Sequence, residues 1–72
     1  MAHNFAQMRL ELERRVLART GRRVRGLHIE LFPERVILHG QASTYHVKQL
    51  AQHGVRDLLP EVRLENAIQV GR

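Results

Sequence analysis

Between Gly40 and Val62 the spacing of apolar residues changes from two to three-and-four, and after Val62 it returns to two. Val36, Leu38 and Gly40 share one parity, as in a strand buried on one face. Val47, Leu50, Ala51, Val55, Leu58 and Leu59 then fall at helical spacing, and Pro60 stops that helix. Val62, Leu64, Ile68 and Val70 again keep one parity, with Asn66 on the same face. Strand, helix and strand in that order form a crossover, and such crossovers are right-handed in nearly every case. The two strands are therefore expected to run parallel. No other feature of the chain narrows its choice of folds as far.

The preceding residues add a second strand and a second helix. Leu27, Ile29 and Leu31 alternate with His28 and Glu30, and Pro33-Glu34 separates this run from Val36. The two runs read as a hairpin. Pro33 fixes a negative φ, which favours a type I turn or a bulged loop and leaves the register open by one residue. If Phe32 opposes Arg35, then His28 opposes His39. Residues 4–20 read as a helix that Asn4 caps and that Gly21 ends in the left-handed conformation. Ser43 is the expected cap of a second helix over residues 44–59. Gly54 inside that helix costs about 1 kcal/mol against alanine, which marks a close contact with the sheet or with the first helix. The expected fold is α+β, one domain over residues 1–72 in the order α-β-β-α-β. Its three-stranded mixed sheet is covered on one face by two helices. The other face carries His28, Glu30, Phe32, Ile37 and His39 from the hairpin, and Arg63, Glu65, Ala67 and Gln69 from the last strand.

Charge is distributed unevenly over this frame. Residues 1–26 hold seven arginines against two glutamates, which accounts for the whole net charge of +5. Residues 27–72 hold five basic and five acidic side chains and are neutral. Such asymmetry points to an anionic partner, or more plainly to a solubilising helix face. At 72 residues the chain buries only about 60% of its unfolded surface, so a partner or self-association would help it. No apolar run approaches the roughly 20 residues of a membrane span, and Glu11 and Glu13 interrupt any signal-peptide core. A soluble, cytoplasmic protein is expected, or an envelope protein if the chain is a domain excised from a longer exported one.

The ordered set Val36, Leu38 and Gly40, then Ser43 with Ala51, then Leu64, Asn66, Ile68 and Val70 resembles the BON domain of bacterial osmotic-stress and nodulation proteins. The resemblance covers about residues 10–70. Pro33-Glu34 stands where that family usually has Asn-Gly or Asp-Gly, and Glu61-Val62 where it has Gly-Val. Both departures lie in turns and leave the core pattern intact. The resemblance implies a non-enzymatic binding module for phospholipid membranes or macromolecular partners. Members are commonly exported and often carry two copies, whereas here there is one.

The residues themselves offer little for catalysis. Ser43 is the single serine and its capping role accounts for it, while Glu11 and Glu13 at i, i+2 do not face each other on a helix. An enzyme is not expected, nor is a cofactor. His28 and His39, with Glu30 as a third group, invite a metal, but two solvated surface histidines are the plainer reading. His46 and His53 lie two turns apart, too far for one ion. The stretch GRRVRG lacks a phosphate-loop pattern, yet its arginine forks suit phosphate. With only three aromatic residues, nucleic-acid binding by base stacking is not expected.

On the first helix, Phe5, Met8, Leu12 and Val16 line one stripe, and Leu10 and Leu17 lie about 120–140° away. Either the core face is broad, or the second stripe meets another copy or a membrane surface. An amphipathic helix flanked by arginines suits an anionic lipid surface, where each arginine contributes on the order of 1 kcal/mol. The leading expectation is attachment to anionic phospholipid through Arg14, Arg15, Arg19, Arg22, Arg23 and Arg25. The alternative is a protein-interaction or self-association module using Leu10, Leu17, Phe32 and Ile37.

Overall fold

The computed structural model describes residues 5–71. The elements follow the order α1 (Phe5–Thr20), β1 (Val24–Leu31), β2 (Arg35–Ala42), α2 (Tyr45–Leu58), β3 (Arg63–Asn66) and β4 (Gln69–Val70). β2 is central: β1 pairs with it antiparallel, and β3 and β4 pair with it parallel. Helices α1 and α2 pack on each other and on one sheet face, so the fold is α+β in two layers. Leu12 and Val16 of α1, Val47, Ala51 and Val55 of α2, and Ile29, Val36, Leu38 and Ile68 beneath them form the core.

Asn4, the expected cap of α1, lies outside the described residues. Its end is a paired cap. Arg22 N–H donates to Leu17 O (2.8 Å) and Gly21 N–H to Ala18 O (3.3 Å), the two bonds of a Schellman motif. Gly21 takes φ +62°, as expected, and Arg22 follows it into the same region at φ +60°. Leu12, Val16 and Thr20 are buried along a four-residue repeat that includes the half-buried Met8. Phe5, expected on the core stripe, is instead exposed at the first turn; of the second stripe Leu10 is exposed and Leu17 half-buried, so that stripe is left largely to solvent.

β1 begins three residues earlier than the alternation predicts. Arg25 pairs with Gln41 and His28 with His39, so two residues, Gly26 and Leu27, oppose Gly40 alone. This is a β-bulge, with Gly26 at φ +64° as its left-handed residue. The extra residue reverses the parity of the strand. Val24 consequently points to the same side as Leu27, Ile29 and Leu31, and is buried. Gly40 across the bulge has no room for a side chain, because a Cβ would lie 2.8 Å from Val24 Cγ1 and 3.1 Å from Arg25 O.

The hairpin closes through Phe32 and Arg35, joined by Phe32 N–H to Arg35 O (2.8 Å) and by Arg35 N–H to Phe32 O (3.4 Å). Neither Pro33 nor Glu34 has a positive φ, which excludes the primed turns and fits type I. The register left open by the sequence is thus the one that sets His28 opposite His39. For α2 the cap is Thr44 rather than Ser43. Thr44 is extended (φ −137°, ψ 155°) and its hydroxyl accepts from Val47 N–H at 3.2 Å. Two adjacent hydroxyl residues both met the capping preference, and the helix starts one residue later than expected.

The last strand is divided into β3 and β4, giving four strands where the sequence suggested three. The division is local, since Leu38 pairs with Asn66 and Gln41 with Gln69 on one unbroken register. Asn66 causes the break. Its Oδ1 accepts from Ile68 N–H (3.2 Å) and its Nδ2 donates to Lys48 O in α2 (2.9 Å). The side chain thereby ties the strand to the helix above it. Arg56 Nη1 donates to Pro60 O and Val62 O, bracing the turn between α2 and β3.

Candidate functional site

The six arginines of the expected lipid surface lie on α1, on the turn after it and on the first residues of β1. They do not act alike. Arg19 forks onto Asp57 of α2, with Nε to Oδ2 at 2.8 Å and Nη2 to Oδ1 at 2.7 Å. Arg15 Nη1 reaches the same carboxylate at 3.6 Å. The hydrogen bonds from Arg19 hold the Asp57 carboxyl below its usual range, with further help from the positive charge of Arg19 and Arg15. The same contact raises Arg19 above its ordinary value. Two of the six cations therefore tie α1 to α2.

This pair carries a pH signature. A carboxyl whose folded pKa is depressed contributes stability above its unfolded value of about 3.9, and loses it as pH falls through the folded value. Asp57→Asn is expected to give a shallower loss of melting temperature on acidification from neutral pH than the parent chain. Parallel acid limbs for the two proteins would show that the contact contributes nothing.

The other four arginines are differently placed. Arg23 Nε donates to Thr20 O (2.7 Å), which secures the base of its guanidinium to the helix end. Arg14, Arg22 and Arg25 are exposed and have neither an ion pair nor a side-chain hydrogen bond among the described residues. The backbone around them is not an anion cradle. The N–H groups of Gly21, Arg22 and Arg23 all donate to helix carbonyls, at 3.3, 2.8 and 3.2 Å. Any anion at this turn meets guanidinium groups and not amides. Arg22 adopts a left-handed backbone that costs a non-glycine residue about 1 kcal/mol or more, at a position glycine would fill without strain.

The four apolar residues of the alternative surface are not one patch. Leu10 (47% exposed) and Leu17 belong to α1, whereas Phe32 (40% exposed) and Ile37 belong to the hairpin, Ile37 on the sheet face that the helices leave bare. Arg35 lies over the Phe32 ring, 4.9 Å from its centre. On the same face the His28 and His39 rings are 5.7 Å apart, and His39 Nε2 bonds to Glu30 Oε1 at 2.8 Å. Among the described residues, no three His, Asp or Glu side chains are placed to hold a metal ion.

No family model, curated protein or solved structure matches this chain. What it can bind must therefore be argued from its own residues. Among the described residues, no helix is long and apolar enough to cross a membrane. Sequence reasoning missed Asp57 as the partner of Arg15 and Arg19. The partners stand 38 residues apart in the tighter contact, and only the crossing of the helices brings them together. It also missed the bulge, for which Gly26 within an apolar alternation was an available signal.

Proposed function

We propose that this chain is a BON-like, non-enzymatic binding module that attaches to anionic phospholipid through the α1–β1 turn and the adjoining flank of α1. The observation that carries the reading is Arg22. Its backbone N–H closes the helix cap, but its guanidinium is exposed and has no partner among the described residues, and the left-handed conformation that glycine would adopt freely is held by an arginine; such strain concentrates at functional positions. Arg23 and Arg25 follow it within three residues, and Arg14 extends the positive charge along α1. Arg15 and Arg19 add to the local field, reduced by Asp57. The confinement of the net charge to residues 1–26 and the resemblance to BON domains both support this assignment. The proposed place of action is a cytoplasmic membrane surface, or the envelope where the chain forms part of a longer exported protein.

Vesicle flotation at low salt tests it. The chain is expected to float with phosphatidylglycerol vesicles and not with neutral phosphatidylcholine, and to be released as salt shortens the screening length. Arg22→Gln with Arg23→Gln removes about 2 kcal/mol, a loss of roughly 30-fold in partitioning. Equal partition onto neutral and acidic vesicles refutes the proposal. The bare sheet face, with Phe32 exposed, favours self-association as a second reading. A concentration-dependent mass in ultracentrifugation, indifferent to salt, would support that reading instead.

A further inference from the structure

The bulge that buries Val24 also shapes the opposite face of the sheet. Gly26 has no side chain there, Gly40 presents its backbone across the bulge, and Ala67 stands at the break in the last strand, so this part of the face carries at most a methyl group. A Cβ added at Gly26 would meet nothing within 4 Å. These residues floor a depression of about 510 Å³ whose remaining walls are Arg25, His39, Gln41 and Gln69. The volume lies within the range of small-molecule sites, about 300–1,000 Å³.

The walls restrict what can enter. Arg25 offers an unpaired guanidinium, which recognises a phosphate or carboxylate through parallel hydrogen bonds. Gln41 and Gln69 each offer both a donor and an acceptor, the combination that hydroxyl groups satisfy. None of the lining residues is a large apolar side chain, so the depression favours a polar ligand over an aromatic or hydrocarbon one. The two carboxylates on this face, Glu30 and Glu65, flank Ile37 toward the hairpin end, and neither lines the depression; Glu30 is bonded to His39. That bond also fixes one nitrogen of the His39 ring beside the depression.

We infer that this depression is a second binding site, separate from the α1–β1 turn, for a small hydroxyl-bearing phosphate of the glycerol phosphate class. Arg25 holds the phosphate, and Gln41 and Gln69 hold the hydroxyl groups. The inference does not rest on the lipid reading, although Arg25 belongs to both. The ligand chemistry has two sources, a free phosphorylated polyol or the headgroup of a glycerophospholipid.

Amide NMR spectra of the full chain, titrated with glycerol phosphate, test it. Shifts are expected at Gly26, His39, Gly40, Gln41, Ala67 and Gln69. Arg25→Gln is expected to weaken binding about tenfold, as the loss of a charge-assisted contact. Ala67→Leu sets a bulky side chain on the floor of the depression and is expected to abolish binding in a chain whose spectrum remains folded, while Arg22→Gln leaves it unchanged. Shifts confined to the α1–β1 turn, none at tens of millimolar, or unaltered binding in Ala67→Leu would each overturn the inference. The flotation assay then separates the two sources. If Ala67→Leu floats as the parent does, the depression takes a free polyol phosphate; if flotation falls with it, the headgroup is the source. Failure at the depression with intact Arg22-dependent flotation leaves the lipid reading standing alone.

Discussion

Replacing Gly54 by alanine is expected to lower the melting temperature by about 10 °C or more. In an isolated helix the same change is favourable by about 1 kcal/mol, because alanine restricts the unfolded backbone. Here the added Cβ would lie 2.9 Å from Val16 Cα, 3.1 Å from Val16 N and 3.2 Å from Arg15 O. All three are backbone atoms of α1, so no side chain can turn aside. The helices must separate, and with them the packing of Val16 and Val55, both fully buried. Overpacking of this kind costs typically 1–3 kcal/mol, and contact with rigid backbone puts it at the upper end. After the gain in helix propensity, about 2 kcal/mol of destabilisation remains. In a domain of this size each kcal/mol moves the midpoint by roughly 4–8 °C. A melting curve in which Gly54→Ala equals or exceeds the parent would mean that α1 and α2 do not cross this closely. Because Arg15 and Arg19 reach Asp57 across the same crossing, the variant is expected to weaken that ion pair as well.

The second large effect is expected at Ile68. This residue lies between β3 and β4, outside either strand, yet it is only 1% exposed. Truncating a buried isoleucine to alanine costs about 2–5 kcal/mol, through lost transfer energy and the cavity left behind. A chain of this length has a total stability on the order of 4–11 kcal/mol. Ile68→Ala is therefore expected to remove about half of it at the middle of both ranges, read as a fall in urea midpoint at constant slope. Val70, two residues further on and of the same parity, is 43% exposed, and its replacement by alanine should change stability by less than about 0.5 kcal/mol. Equal losses at the two positions would contradict the observed end of the core.

These two residues show what the sequence conveys and what it conceals. Parity alone placed Leu27, Ile29, Val36, Leu38, Leu64 and Ile68 toward the helices, since a strand exposes alternate residues to one face. The switch to helical spacing between Ser43 and Pro60 was enough to orient the last strand. Gly54 announced a close contact by its mere presence in a helix, although its partner, Val16, depended on the crossing of α1 and α2. Val24 was hidden because the bulge shifts parity, and a reading in strict steps of two sets it on the wrong side. The break at Asn66 was hidden for another reason, since a side chain there takes over a backbone hydrogen bond.

The candidate site was legible in charge and less so in geometry. Seven arginines in the first 26 residues are plain to see. That Asp57 takes two of them, and that the turn's amides are already occupied, follows from long-range packing and from the helix cap. Arg25 was visible as a cation, but the hollow beside it is lined by Gly26 of β1, Gly40 of β2 and Ala67 between β3 and β4, which only the sheet brings together.

The bulge at Gly26 makes the connection from α1 to the sheet tolerant of a change in length. Val24 faces the interior although it stands three residues before Leu27, because Gly26 and Leu27 together oppose Gly40. Deleting Gly26 would leave a regular strand in which Arg25 still faces outward and Val24 still faces the core. The arginine-rich link can thus surrender one residue there without exchanging its inner and outer side chains.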